Sequence, residues 1–213
     1  MRSIDGGLRR YVAAVSIVGA AVLAFVLVRG EPGLPSRPGA AFWILAALVI
    51  VGEVLPVPVV PRHRGTGATT SSTFAFAILL GWGLPAGLLT QAVASVVGDA
   101  IQRKPWFKAM FNIGQYALAM TAAGLAIEVF SDAPLITSGH ASMSDVLVLL
   151  PAGGAFFVVN NVLTGAVVAL AQHARIPAQI AAAFQAMSVT EPILIGLSPV
   201  VVILGQASPA VLP

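Results

Sequence analysis

Of the 213 residues 58% are hydrophobic and only 9% are charged, against about 25% charged in an ordinary soluble domain; no water-facing surface can be assembled from such a chain. Its formal net charge of +3 sits on basic residues placed between long aliphatic stretches, a pattern that argues against a nucleic-acid-binding domain and for membrane-spanning helices. With no cysteine in the sequence, disulfides, thiolate metal sites and thiol nucleophiles are excluded.

The chain opens on Arg2, Arg9 and Arg10, followed by an apolar run over 11–28. This run is about one crossing long, since a helix needs roughly 20 apolar residues to cross a hydrocarbon core about 30 Å thick. It ends in Val-Arg-Gly-Glu-Pro-Gly rather than a small-x-small cleavage site, so it reads as a retained first helix and not a secretory signal. A Gly/Pro-rich loop carrying Arg29, Glu31 and Arg37 leads to a second span over 40–60, with Glu53 inside it and Pro56 and Pro58 breaking its end. Arg62, His63 and Arg64 mark the next loop.

Residues 73–102 are too many for one upright helix and tight for two. Gly81-Trp82-Gly83-Leu84-Pro85 divides them, and such residues punctuate helices strongly. The segment therefore reads as a helical hairpin, 73–83 and 84–102, formed by two short crossings or a re-entrant pair enclosed by protein. After the basic turn Arg103-Lys104-Pro105-Trp106-Phe107-Lys108, further spans are expected over 110–130, 146–172 and 181–206. The expectation is one all-α polytopic bundle over 1–213, with about six to seven membrane segments.

Charge placement supports the hairpin. With the N-terminus inside and the hairpin returning to its starting side, Arg2, Arg9, Arg10, Arg62, Arg64, Arg103, Lys104, Lys108 and Arg175 all fall inside, leaving Arg29 and Arg37 outside. A single crossing at this point would move the 103–108 cluster outside and erase the asymmetry. The expected location is a bacterial cytoplasmic membrane, multi-pass, with a cytoplasmic N-terminus. The same reading leaves the apolar stub 208–213 on the outer face and suits a chain cut from a longer protein.

Polar side chains in hydrocarbon are costly, so each is a candidate site residue. Gln91, Ser95, Asp99 and Gln102 recur at helical spacing and share one face, while Ala86, Thr90, Ala94 and Gly98 form a small-residue ridge beside them. Asn112, Gln115 and Tyr116 follow in the next span, then Asn160 and Asn161 in the middle of another, and Glu191 in the last. The expected ligand-lining set is Gln91, Ser95, Asp99, Asn112, Gln115, Tyr116, Asn160 and Asn161, with Glu53 and Glu191 as intramembrane acids. The competing explanation is interhelical hydrogen bonding that glues the bundle. Arg103, Lys104, Trp106 and Lys108 read as interfacial anchors, and Trp43 sits near an interface too.

Chemical motifs are missing from the sequence: no phosphate-binding Gly-rich loop with Lys, no His-Glu-x-x-His and no Gly-x-Ser-x-Gly. Ser138-Gly139-His140 has suitable residue types for nucleophilic chemistry but no orienting partner. His63, His140 and His173 lie far apart. No catalytic residue, metal ligand or cofactor is therefore expected.

Several stretches carry a family resemblance. These are Gly52-Glu-Val-Leu-Pro-Val-Pro58, Thr70-Ser-Ser-Thr-Phe-Ala-Phe-Ala77, Arg103-Lys-Pro-Trp-Phe-Lys-Ala-Met-Phe-Asn-Ile-Gly-Gln-Tyr116, Phe157-Val-Val-Asn-Asn161 and Gln206-Ala-Ser-Pro-Ala-Val-Leu-Pro213. Together they resemble the N-terminal multi-spanning region of actinobacterial cyclic-di-GMP signalling proteins, in which such a region precedes GGDEF, EAL or HD-type domains. No GGDEF, EAL or HD signature occurs in this sequence, so no catalytic residue carries over. The resemblance implies a sensory and anchoring input module, with the bilayer, a small ligand and a second copy of the chain as its partners. The alternative expectation is a small-solute transporter or a substrate-binding membrane subunit similar to the vitamin-binding components of energy-coupling transporters.

Overall fold

The computed structural model describes residues 5–29, 38–55, 57–58, 67–68, 70–131, 134–136 and 142–207. Among them the chain is helical, apart from a short antiparallel pairing of β1 (Val57–Pro58) with β2 (Gly67–Ala68).

Helix α1 (Gly6–Arg29) is uninterrupted, its apolar run over 11–28 lying between Arg10 and Arg29. Helix α2 (Ala40–Val54) stops five residues or more short of the expected span, because Pro56 and Pro58 have no N–H to continue the ladder and residue 57 is already in β1. The hairpin consists of α3 (Ser71–Trp82) and α4 (Leu84–Ile101), joined through Gly83. Gly83 has φ 85° and ψ 174°, a region open essentially to glycine alone. Pro85 then occupies the first turn of α4, where its missing N–H costs nothing.

Helix α5 (Trp106–Phe130) begins directly after Pro105. Helix α6 (Met143–Gln172) starts with a capping box: Ser142 Oγ accepts from the Asp145 N–H, and the Asp145 carboxylate accepts from the Ser142 N–H at 2.7 Å. The apolar stretch expected over 181–206 is broken. Helix α7 (Ile176–Met187) begins five residues before it and ends within it, and α8 (Thr190–Gly196) and α9 (Ser198–Ala207) follow, each of the three with a proline in its opening turn: Pro177, Pro192 and Pro199. Proline starts a helix readily but cannot sit inside one without removing a hydrogen bond, so one continuous helix gives way to three.

Five segments are long and apolar enough to cross a membrane: Gly6–Arg29, Leu84–Ile101, Trp106–Phe130, Ser144–Gln172 and Thr190–Ala207. Two apolar helices, α2 and α3, are shorter. The 12 residues of α3 rise only about 18 Å at 1.5 Å per residue, well under the hydrocarbon thickness. All of α3 except Phe74 and Trp82 is buried, and it packs among α2, α4, α8 and α9. A helix apolar all round and too short to span is stable when protein encloses it. At its centre Phe76 meets Phe156 of α6 edge-on, with ring centroids 5.2 Å apart.

Neighbour contacts fix how the helices run. Asp99 late in α4 meets Asn112 early in α5, while Leu84 at the start of α4 lies against Gly124 of α5, so these two are antiparallel. Helix α1 runs parallel to α5: the Tyr11 and Phe111 rings lie 6.2 Å apart, and further along the Gly19 and Gly114 backbones touch. No side chain fits at that crossing, since a Cβ on Gly114 would stand 2.6 Å from the Val15 carbonyl oxygen. The Tyr11 hydroxyl donates to the Leu163 carbonyl at 3.2 Å, and Gln115 pairs with Asn160, which sets α6 antiparallel to α5. Gln102 donates to the Glu53 carbonyl at 3.1 Å, bringing the end of α2 to the end of α4.

Arg9, Arg10, Arg103, Lys104, Lys108 and Arg175 consequently share one end of the bundle, together with the ends of α2 and α4. The loop with Arg62, His63 and Arg64 lies outside the described residues, as do Arg2, Glu31, Arg37, Ser138, Gly139, His140 and 208–213. Much of the outward surface is large and apolar, including Phe25, Val28, Val96, Leu125, Phe130 and Leu150, the surface that a bilayer covers.

Candidate functional site

Two polar networks lie inside the bundle. The first is built on α2, α3 and α4 around Glu53, which is 4% exposed. Ser71, in the first turn of α3, donates its hydroxyl to Glu53 Oε2 at 2.7 Å. Gln91 of α4 donates from Nε2 to the same oxygen and to Ser95 Oγ, each at 3.4 Å. The face Gln91, Ser95, Asp99 is buried along its length. One turn below, Asp99 accepts from Asn112 Nδ2 at 3.2 and 3.3 Å and pairs with Lys104 Nζ at 2.6 Å. Lys104 is only partly covered, so Asp99 is neutralised where the bundle meets its surroundings.

The second network centres on Glu191, in the first turn of α8. Its two carboxylate oxygens accept separately, Oε1 from Asn160 Nδ2 at 2.8 Å and Oε2 from Asn161 Nδ2 at 2.9 Å. Asn160 Oδ1 in turn accepts from Gln115 Nε2 of α5. Asn161 also donates to the Phe157 carbonyl at 2.8 Å, and Thr164 closes back on the Asn160 carbonyl at 2.8 Å. No basic side chain lies within ion-pair distance of Glu191 among the described residues. Amide donors alone hold this buried carboxylate, and through it α8 is fastened to α5 and α6.

The expected single pocket of Asp99, Asn112, Gln115, Asn160 and Asn161 is therefore divided. Asn112 belongs with Asp99 and Lys104; Gln115, Asn160 and Asn161 belong with Glu191. Tyr116 packs against the core from a half-buried position. Glu53, expected as an intramembrane acid, is the hub of the first network. Ser71 was missed as its partner, although its place in a Ser-Ser-Thr run opening a helix was a visible signal. Trp106 is 78% exposed and Trp43 also faces outward.

Most polar groups here satisfy one another. Gln91 Oε1 is a clear exception: the residue is 2% exposed and this oxygen has no hydrogen-bond partner among the described residues. Groups of three or more His, Cys, Asp or Glu suited to a metal ion are absent among the described residues. No protein-family model, curated protein or solved structure matches the chain.

Proposed function

We propose that this chain is the membrane-embedded sensory and anchoring module of a bacterial cyclic-di-GMP signalling protein, and that catalysis belongs to a separate part of that protein. The observation that carries the reading is the fastening of α8 through Glu191 to Asn160 and Asn161. Helix α8 leads directly into α9, so a change in how α8 is held would be carried into α9. A bonded network with one buried acid gives two discrete states, docked and released. A stimulus with different affinity for the two shifts their populations and biases the attached effector.

The sequence resemblance supports the cyclic-di-GMP assignment, and the basic end of the bundle supports a cytoplasmic N-terminus. The test is the natural coding sequence read through and beyond Pro213. A nucleotide cyclase or phosphodiesterase expressed with this region should change its cyclic-di-GMP turnover at least severalfold when Glu191 is replaced by Leu. A downstream sequence encoding neither enzyme contradicts the assignment.

A second reading, a solute transporter or substrate-binding subunit, is favoured by the broken α3–α4 hairpin beside the buried polar groups of the Glu53 network. Solute accumulation by vesicles containing the chain alone would establish it.

A further inference from the structure

A groove of about 320 Å³ runs between α1, α4 and α5, lined by Leu23, Ala92, Val93, Val96, Val97 and Ile113. Its walls are wholly aliphatic, and it opens on the apolar outer surface. What distinguishes it is the end towards which it points. On α4, Val97 lies four residues before the helix ends at Ile101, and Arg103 follows in the turn; on α5, Lys108 precedes Ile113 by five residues, roughly 7.5 Å along the helix axis, so both cations lie towards the same end of the groove. On α1, Arg9, Val12, Ser16, Gly19 and Leu23 recur at spacings of three and four and share one face. Gly19 lies against α5 and Leu23 lines the groove, so this stripe carries Arg9 to the same end.

Lys104 is occupied by Asp99. Arg9, Arg103 and Lys108 are exposed and have no carboxylate within ion-pair distance among the described residues. Arg103, just past the end of α4, has φ 51°, the left-handed conformation in which many helices end, and the Lys104 N–H bonds back to the Asp99 carbonyl at 2.9 Å, so the chain leaves the helix at this point. The exposed Trp106 indole stands beside these cations, as at a membrane–water boundary.

We propose that this groove binds an anionic phospholipid, one acyl chain lying along Leu23, Val96, Val97 and Ile113 and the phosphate meeting Arg9, Arg103 and Lys108. The aliphatic walls select a chain, the three unpaired cations select a negative headgroup, and neither feature alone would do both. This site goes beyond the sensory reading and stands whether or not an enzyme is attached.

The test uses the full chain in detergent, titrated with phosphatidylglycerol or phosphatidylcholine, with bound lipid counted by native mass spectrometry and stability followed by melting. Phosphatidylglycerol should bind at least tenfold more tightly. The triple change Arg9→Gln, Arg103→Gln, Lys108→Gln should weaken it roughly a hundredfold, at about fivefold per basic residue near the headgroups, while phosphatidylcholine binding stays put. Val96→Trp, filling the groove, should reduce both lipids. Arg103→Gly is the check against misfolding: it relieves the left-handed arginine, so melting should hold or rise while phosphatidylglycerol binding falls about fivefold. Equal binding of the two lipids, undiminished preference in the triple variant, competition by soluble glycerol phosphate as strong as by the lipid, or a second copy of the chain in the groove would each overturn the proposal.

Discussion

Asn161 of α6 donates its amide to Glu191 of α8 across 2.9 Å, while Asn160 holds the other carboxylate oxygen. Two consecutive asparagines on a helix point about 100° apart, so gripping both oxygens of one carboxylate fixes the position and the rotation of α8 together. Replacing Glu191 by Ala takes an acceptor from the half-buried Asn160 amide and one of two from the buried Asn161 amide, a loss of about 1–3 kcal/mol. Thermal unfolding of the purified chain should show it. Glu191→Gln should fall between, since its amide oxygen can serve one asparagine while its NH₂ opposes the other.

The Gln115–Asn160 bond joins α5 to that network. A double-mutant cycle with Gln115→Leu and Asn160→Leu should give a coupling of about 0.6–2 kcal/mol, the range for polar contacts between helices in bilayers. Additive losses would show that the two residues act independently.

At the basic end, Lys104→Ala removes the cation that neutralises Asp99, itself 2% exposed. The cost should be about 1–3 kcal/mol, limited because the lysine is partly exposed. Adding Asp99→Asn to Lys104→Ala should recover part of this stability, because the uncompensated buried charge disappears. Melting of the single and double variants in one detergent decides it.

Gly83→Ala tests the hairpin. An alanine at φ 85° and ψ 174° is strained whatever its surroundings, with an expected loss of about 1–3 kcal/mol. Gly114→Val tests the α1–α5 crossing, where the added side chain must push against the Val15 carbonyl; overpacking of this sort costs about 1–3 kcal/mol. Thermal melting of each variant in one detergent checks both losses.

Gly83, which divides α3 from α4, was legible as a helix boundary; the start of α5 was not, since it was expected at 110 after the basic turn and the helix begins at Trp106, directly after Pro105. The buried face Gln91, Ser95, Asp99 was legible from helical spacing, which is a local property. Partners in space were not. Nothing in the spacing of Gln115 distinguishes Asn160, 45 residues on, from Asp99, because that choice depends on how helices pack. The break of 181–206 into three helices was under-read, although Pro192 and Pro199 stood in plain view. Its aliphatic composition alone fits one long helix, but a proline cannot continue the hydrogen-bond ladder, and that decides where each helix starts.

Cysteine labelling tests the central claim, a lipid-embedded bundle with its basic end in the cytosol, most directly. The natural sequence has no cysteine, so single replacements at Lys108 and Ser142, exposed near opposite ends of the bundle, report cleanly. In intact cells a membrane-impermeant maleimide should label Ser142→Cys and spare Lys108→Cys until the cells are opened. Labelling of both positions in intact cells, or of Lys108→Cys alone, would contradict the account.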